Sequence, residues 1–205
     1  MQAEQMLIVF QIIVLIYSVI LHEIAHGYAA YVFGDKTAYY QNRLTLNPIP
    51  HIDPVGSILI PFFLVLSHAG LLFGWAKPVP VQEHNLNPYK LGSFCVSFAG
   101  VFVNLLLSLI FATIGSFILD YNTKTLCAII ASVNLALAIF NLIPIPPADG
   151  YRIISIFLPW DIKRKIETFI QQNFIITIIL AIIIATQFFQ LIFPYFQNIL
   201  VNIIF

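Results

Sequence analysis

The sequence predicts an all-α membrane protein: a polytopic bundle of about four spanning helices, with a re-entrant or interfacial segment and a small strand-like region near the candidate functional site. Two observations carry this prediction. Of the 205 residues, 60% are hydrophobic and 9% are charged, and the mean hydropathy is +0.93. The apolar runs are continuous and do not alternate, which is typical of spanning helices and not of a membrane barrel. Residues 1–205 are therefore predicted to form a single integral-membrane domain.

Four segments are apolar over enough residues to cross a bilayer as helices. They are 6–33, 91–119, 126–143 and 173–193. A fifth apolar segment, 56–73, is interrupted by proline, glycine and polar residues, namely Pro61, Ser67, His68 and Gly70.

The connections between these segments predict shorter elements. Residues 36–46, rich in Tyr and Thr, favour a strand or hairpin after the first helix. Residues 76–81 contain two prolines and favour an extended edge segment. Residues 160–172 combine basic and apolar positions, which is typical of an amphipathic helix at a membrane interface. Residues 195–205, which follow Pro194, are too short to span a bilayer.

The charge and cysteine content argue against other classes of protein. The formal net charge is +0 at pH 7 and no glycine-rich phosphate loop is present, so nucleic acid is not a predicted partner. The two cysteines, Cys95 and Cys127, lie inside apolar segments. They are interpreted as small hydrophobic residues and not as a disulfide framework.

The stretch His22-Glu23-Ile24-Ala25-His26, inside the first apolar segment, is the strongest functional signal in the chain. On a helix, residues four apart share a face, so the two imidazoles can bind one metal ion. Glu23 is placed to take a proton from a water on that ion, whose pKa the metal lowers. Ionisable groups at membrane depth are costly, which favours a functional interpretation over a chance match or a capping role.

A catalytic zinc site needs a third protein ligand beside the two histidines. Asp149 is the best candidate, because three prolines end the preceding helix and leave extended backbone beside it. Gly150 permits a close turn directly after the aspartate. The alternative is that Asp149 only caps the segment that follows.

A site that joins the two histidines to Asp149 constrains the topology. Both parts of the site lie near the C-terminal ends of their helices, so these two helices must run parallel. Parallel helices require an odd number of spans between them. Segment 91–119 supplies one span, and segment 56–73 would add a second. We therefore predict that 56–73 is re-entrant or lies along the membrane surface.

The distribution of Lys and Arg supports the same topology and gives its orientation. If 56–73 does not span, Lys124 alone lies on the side opposite the site. Because positive charge marks the cytoplasmic side, the site is predicted near the cytoplasmic face of the cell membrane, with the N-terminus outside the cytoplasm. The basic residues on the side of the site are Lys36, Arg43, Lys77, Lys90, Arg152, Lys163, Arg164 and Lys165.

Three further residues are candidates for substrate binding. Asn104 is larger and more polar than the small residues on its helical face, whose pattern otherwise indicates close helix packing. Asn141 lies on a similar face of the next helix. Either asparagine can hydrogen-bond an unwound peptide backbone or another asparagine. His51 either approaches the site from its loop or lies at the surface.

With these motifs, the chain resembles the site-2 metalloproteases, specifically their short prokaryotic branch. The resemblance covers most of the chain and is highly specific as a combination. It rests on His22-Glu-Ile-Ala-His26, Arg43-Leu-Thr-Leu-Asn-Pro48 with His51-Ile-Asp-Pro-Val-Gly56, Gly74-Trp-Ala-Lys-Pro-Val-Pro80, and Asn141-Leu-Ile-Pro-Ile-Pro-Pro-Ala-Asp-Gly150.

The resemblance implies an intramembrane zinc endopeptidase that cuts transmembrane segments of single-span membrane proteins or peptides in a lipid bilayer. It implies one Zn²⁺ per chain, held by His22, His26 and Asp149, with Glu23 as the general base. The chain departs from the family pattern at two places. It has Gly100-Val101 where the family often has Gly-Pro, and Ala148 where the family commonly has Leu.

Two other functions compete with proteolysis. A metal transporter needs polar groups staged across the whole membrane, and segment 173–193 offers few of them. A non-catalytic membrane protein that binds zinc has no need of a carboxylate at Glu23. The sequence therefore favours an enzyme over both alternatives.

Overall fold

The computed structural model describes residues 2–59 and 75–205, and this part of the chain is helical with no strand. The helices are α1 (Gln2–Val32), α2 (Thr37–Tyr40), α3 (Tyr89–Phe117), α4 (Tyr121–Asn141), α5 (Asp149–Ser155), α6 (Trp160–Gln172) and α7 (Phe174–Ile204). Shorter helical turns occupy Ile49–His51, Pro54–Leu59 and Glu83–Asn85.

Within the described residues, three helices are long and apolar enough to cross a membrane. They are Glu4–Val32 within α1, Tyr89–Phe117 and Tyr121–Asn141, and they coincide with three of the four predicted spans. The fourth predicted span, apart from Asn173, is also helical and lies in α7, and its crossing of a membrane stays a prediction. Most of segment 56–73 lies outside the described residues, so its predicted re-entrant or interfacial course is not tested.

The directions of the long helices follow from which residues face each other. Gly92 near the start of α3 lies against Phe33, and Gly100 lies against His22, so α3 is antiparallel to α1. Gly115 near the end of α3 lies against Cys127 near the start of α4, so α4 is antiparallel to α3. Helices α1 and α4 therefore run parallel to each other, with α3 between them in the chain. This is the arrangement predicted from the two halves of the site.

The last helix is longer than predicted. We expected Pro194 to separate the span from a short C-terminal segment, but α7 continues through it to Ile204. Proline lacks a backbone N–H, so one helical hydrogen bond is lost there. Burial beyond the proline offsets that loss, because Leu200 and Ile204 are 6% and 1% exposed. They pack in one apolar cluster with Ala112, Ala131, Leu135 and Ile139.

The predicted strand-like region is wrong for residues 36–46, where α2 and turns are found. The physical reason lies just before this stretch. The Asp35 carboxylate accepts hydrogen bonds from the backbone N–H of Thr37 at 3.1 Å and from its hydroxyl at 2.5 Å. This local bonding starts a helical turn at Thr37. Residues 76–81 form neither helix nor strand, whereas the predicted amphipathic helix is confirmed as Trp160–Gln172.

Candidate metal centre

Three predicted ligand side chains meet between α1 and the start of α5. The Oδ2 atom of Asp149 lies 3.0 Å from Nε2 of His22 and 3.1 Å from Nε2 of His26. The two Nε2 atoms lie 3.0 Å apart. All three residues are buried, with 5%, 5% and 6% of their surface exposed. The structure therefore brings together one nitrogen from each histidine and one carboxylate oxygen.

The backbone of α3 orients the second histidine. Nδ1 of His26 donates a hydrogen bond to the carbonyl oxygen of Val96 at 2.6 Å. This bond requires a proton on Nδ1 and turns Nε2 toward the other two candidate ligand atoms. Such an outer hydrogen bond typically fixes the tautomer and the ring orientation of a metal-binding histidine.

A glycine lets α3 approach the two imidazoles closely. A Cβ atom built on Gly100 would lie 2.5 Å from Nε2 of His22 and 2.6 Å from Nε2 of His26. Any side chain at this position would enter the space between the two ligand nitrogens. The small-residue pattern of this helix was predicted to serve packing, and at Gly100 it also keeps the candidate metal centre open.

Asp149 reaches the histidines because the chain turns sharply after α4. The residue opens α5, and a Cβ on Gly150 would collide with the carbonyl oxygen of Leu142. This close approach agrees with the prediction that Gly150 permits a close turn directly after Asp149. Burial by itself raises the pKa of Asp149, but the hydrogen bonds and charges of His22 and His26 outweigh burial and hold this pKa well below its usual range. The carboxyl group is thus ionised, as a metal ligand must be.

The geometry of the cluster suits zinc. Three ligands at Zn–N and Zn–O distances of about 2.0–2.1 Å in a tetrahedral arrangement lie about 3.3 Å from one another. The observed separations of 3.0–3.1 Å require shifts of only a few tenths of an ångström. Two imidazoles and one carboxylate are also the ligand set of open catalytic zinc sites, which keep a fourth position for water or substrate.

Glu23 is held by the chain that precedes α3. Its Oε2 atom accepts a hydrogen bond of 2.7 Å from the backbone N–H of Val79. Val79 is buried against α1, where a Cβ on Gly27 would lie 3.0 Å from its side chain. One carboxylate oxygen of Glu23 is therefore fixed by a backbone amide from a distant part of the sequence.

Residues 77–82, which we call the anchored segment, are fixed by two further charged side chains. Nη2 of Arg43 donates to the carbonyl oxygens of Lys77 at 2.8 Å and Pro78 at 3.2 Å. Oδ2 of Asp35 accepts from the backbone N–H of Gln82 at 2.7 Å. Burial lowers the pKa of Arg43 and the charge of Glu23 opposes this effect, so the two groups interact electrostatically. The anchored segment is thus attached on both sides of Val79.

The three predicted substrate-binding residues do not join the metal-ligand cluster. Asn104 is 0% exposed and neither atom of its amide has a hydrogen-bond partner among the described residues. The amide of Asn141 donates to the carbonyl of Leu137 in its own helix at 2.9 Å. His51 is buried, and its Nε2 donates to the carbonyl of Thr45 at 3.0 Å. The last finding contradicts a surface position for His51.

Sequence reasoning missed several contributors to this site. Arg43 and Val79 lie in motifs of the family resemblance, but their roles were missed because their contacts join residues far apart in the chain. The Val96 carbonyl is a backbone group and leaves no signature in the sequence. Gly100 carried a usable signal, since it is the glycine of a small-residue pattern on a helix predicted to face the site.

Comparison with known proteins gives a family and several relatives. Residues 118–186, which include Asp149 but not the two histidines, match the profile described as Peptidase family M50. No solved structure shows a significant match to the chain.

The relatives are similar over most of the chain. A protein of Bacillus subtilis named as a candidate zinc metalloprotease, YwhC, is 42% identical over 187 residues, which cover 84% of this chain and 80% of that protein. A protein of Mycolicibacterium smegmatis named as a candidate zinc metalloprotease, Rip2, is 28% identical over 185 residues, which cover 88% of this chain and 70% of that protein.

Proposed function

Because the chain belongs to peptidase family M50, we propose that it is an intramembrane zinc endopeptidase that hydrolyses peptide bonds in or near transmembrane segments of other membrane proteins. Family membership makes it a zinc metalloprotease. What we propose beyond family membership is that cleavage takes place within the membrane. One observation carries it: the cluster of His22, His26 and Asp149 is buried against a helix long and apolar enough to span a bilayer.

In this proposal, His22, His26 and Asp149 hold one Zn²⁺ through two nitrogens and one oxygen. Zinc, when bound, polarises a peptide carbonyl and lowers the pKa of water in its open position. The close ligand spacing, the ionised state of Asp149 and the bond from His26 to Val96 all support this role.

We assign the role of general base to Glu23. The residue follows His22 on α1, and in this proposal its carboxylate takes a proton from the attacking water and delivers it to the leaving amine. The hydrogen bond from Val79 engages Oε2 and leaves Oε1 for that transfer. A rotationally fixed base fits a reaction that depends on orientation.

The proposed substrates are single-span membrane proteins or transmembrane peptides. A helical substrate hides its carbonyls in its own hydrogen bonds, so it must unwind locally before cleavage. Asn104 is the best supported of the three substrate-binding candidates, because both its amide atoms lack partners in the described part of the chain. Asn141 and His51 stay candidates with weaker support, since each already makes a hydrogen bond within the protein.

We also propose a multi-pass position in the cell membrane, with the active site nearer the cytoplasmic face and the N-terminus on the opposite side. Helix α3 is antiparallel to both α1 and α4, which supports this topology. The loops before and after α3 therefore lie at opposite ends of the helices. The loop before α3 carries Lys36, Arg43 and Lys77, whereas the start of α4 carries Lys124. This asymmetry is the basis of the orientation.

The test is cleavage of single-span reporter proteins by the purified protein in detergent, with wild type beside Glu23→Gln. We expect wild type to cut within the hydrophobic segment and the variant to be inactive with an unchanged zinc content. Equal cleavage by both proteins would refute Glu23 as the base. Cleavage by neither, across reporters of varied sequence, with zinc bound by both, would instead support a non-catalytic zinc-binding protein.

A further inference from the structure

The anchored segment is attached to the protein on both sides of the amide that binds Glu23. Before Val79, the carbonyls of Lys77 and Pro78 accept from Arg43, at 2.8 and 3.2 Å. After it, the N–H of Gln82 donates to Asp35 at 2.7 Å. Glu23 itself binds the N–H of Val79 at 2.7 Å. The position of the Glu23 carboxylate therefore depends on groups outside its own helix.

The side chain of Arg43 is buried and held by hydrogen bonds. It is 7% exposed, and its backbone N–H donates to the carbonyl of Ala38 at 3.0 Å. A single guanidinium nitrogen serves both carbonyls, while Nε is buried without a partner in the described part of the chain. Arg43 is thus fixed in place and linked to Glu23 by one short piece of backbone.

That piece of backbone is stiff. Pro78 and Pro80 flank Val79, and each proline ring fixes its own φ angle. Neither proline has an N–H, so Val79 supplies the amide donor between them. The N–H of Lys77 is also occupied, because it donates to the carbonyl of His51 at 2.9 Å. If the carbonyls of Lys77 and Pro78 move, the Val79 amide therefore moves with them.

We propose that Arg43 is a positioning residue for catalysis: by holding the carbonyls of Lys77 and Pro78, it fixes the Val79 amide that orients the Glu23 carboxylate. This inference rests on the proposed function, in which Glu23 is the general base. Arg43 does not touch the ligand cluster or the reacting atoms. Its loss acts on the rate of the chemical step and not on zinc binding.

The first experiment compares Arg43→Met, Arg43→Lys and the matched control Arg164→Met in reporter cleavage. Methionine keeps an apolar stem and removes the donors, whereas the lysine ammonium can donate to both carbonyls from one atom. We expect Arg43→Met to lower kcat by about 10- to 100-fold, with KM and zinc content unchanged. Arg43→Lys restores most of kcat. Arg164 is exposed on α6, and its variant keeps wild-type kinetics.

A merely structural role of Arg43 gives a different result. Loss of folded protein or of zinc would reduce the active fraction, and Arg43→Lys would then offer no selective recovery of kcat at full zinc content. A raised KM with unchanged kcat would mean that Arg43 serves substrate binding. Either outcome overturns the proposal.

The second experiment tests the connection through the backbone. Val79→Pro removes the amide hydrogen that binds Glu23, so it should lower kcat to an extent similar to that of Arg43→Met. Because both changes act on one hydrogen bond, the double variant should be no slower than the slower single variant. If the two losses in kcat multiply, Arg43 and Val79 act independently and the proposal is wrong.

A spectroscopic measurement separates this proposal from the proposed function. If no reporter is cleaved by wild type, the proposed protease activity fails, but the Val79 amide resonance of ¹⁵N-valine-labelled protein still reports the geometry. Arg43→Met and Glu23→Gln should both shift this resonance, and Arg164→Met should not. An unshifted Val79 amide in Arg43→Met would refute the positioning of Glu23 by Arg43.

Discussion

Replacement of Gly100 by alanine should disrupt the metal centre by adding a single methyl group. The added Cβ would lie 2.5 Å from Nε2 of His22 and 2.6 Å from Nε2 of His26. Non-bonded heavy atoms need about 3.5 Å, so α3 or the two rings must move by about 1 Å. The methyl group would crowd any zinc ion that both nitrogens held. Alanine at position 100 and the ion would therefore compete.

The expected magnitude follows from this geometry. Zinc sites tolerate ligand displacements of about 0.2 Å, and even changes outside the ligand set cost about 10- to 100-fold in affinity. We expect Gly100→Ala to lower zinc affinity by at least that factor and to abolish reporter cleavage at limiting zinc. Competition with a chromophoric chelator measures the affinity, and elemental analysis of the purified protein measures the occupancy.

Gly115→Ala is the matched control on the same helix. Its Cβ would lie 3.1 Å from Cγ2 of Ile204 and 3.3 Å from Cβ of Cys127, which are tight apolar contacts that these neighbours relieve by moving a few tenths of an ångström. We expect Gly115→Ala to bind zinc as tightly as wild type. Wild-type zinc affinity in Gly100→Ala, together with normal cleavage, would refute the assignment of this space to the metal.

Two further predictions concern the acidic residues Asp149 and Asp35. Asp149→Asn keeps the size of the side chain and removes its charge, so zinc affinity should fall while the purified protein stays folded, as chelator competition and size-exclusion chromatography in detergent would show. Asp35→Asn should reduce the free energy of unfolding at pH 7 by about 1–3 kcal/mol, because one oxygen that accepts a hydrogen bond becomes an N–H₂ donor. Burial raises the pKa of Asp35, but bonds from Thr37, Gln82 and Asn85 outweigh burial and lower it. The stability from Asp35 is therefore present above the ordinary carboxyl pKa of about 3.9 and is lost as pH falls through the lower folded value. Thermal midpoints of zinc-free wild type and Asp35→Asn should thus converge below about pH 4, and a constant difference between them would contradict this account.

The long helices and the clustering of His22, His26 and Asp149 were predictable because their signals are local. Long apolar segments predicted α1, α3 and α4 as helices. The spacing of His22 and His26 indicated that they share a helical face. The prolines before Asp149 marked the point where the chain leaves the helix. Even the parallel course of α1 and α4 followed from the requirement that the two halves of the site meet. Each inference used residues within one segment or one simple constraint between segments.

The loops were less predictable because tertiary contacts decide their structure. Tyr and Thr in residues 36–46 favoured a strand, but Asp35 bonds Thr37 locally and then bonds Gln82 across the fold. Pro194 suggested a helix end, but the cluster around Leu200 and Ile204 carries α7 past it. In both cases a contact distant in sequence outweighs a local preference.

The site therefore has two parts with different structural origins, and they should fail in different ways. Helices carry the proposed zinc ligands, and the Val96 carbonyl and the close approach of α3 at Gly100 constrain the two histidines. Loops deliver the orientation of Glu23, through Arg43 and Val79. Changes in the helical part should lower zinc affinity first, and activity should recover with added zinc. Changes in the loop part should lower kcat at full zinc occupancy, and no amount of zinc should restore it. Gly100→Ala belongs to the helical part. If this variant stays inactive at saturating zinc while it still binds the metal, the two parts are not separable.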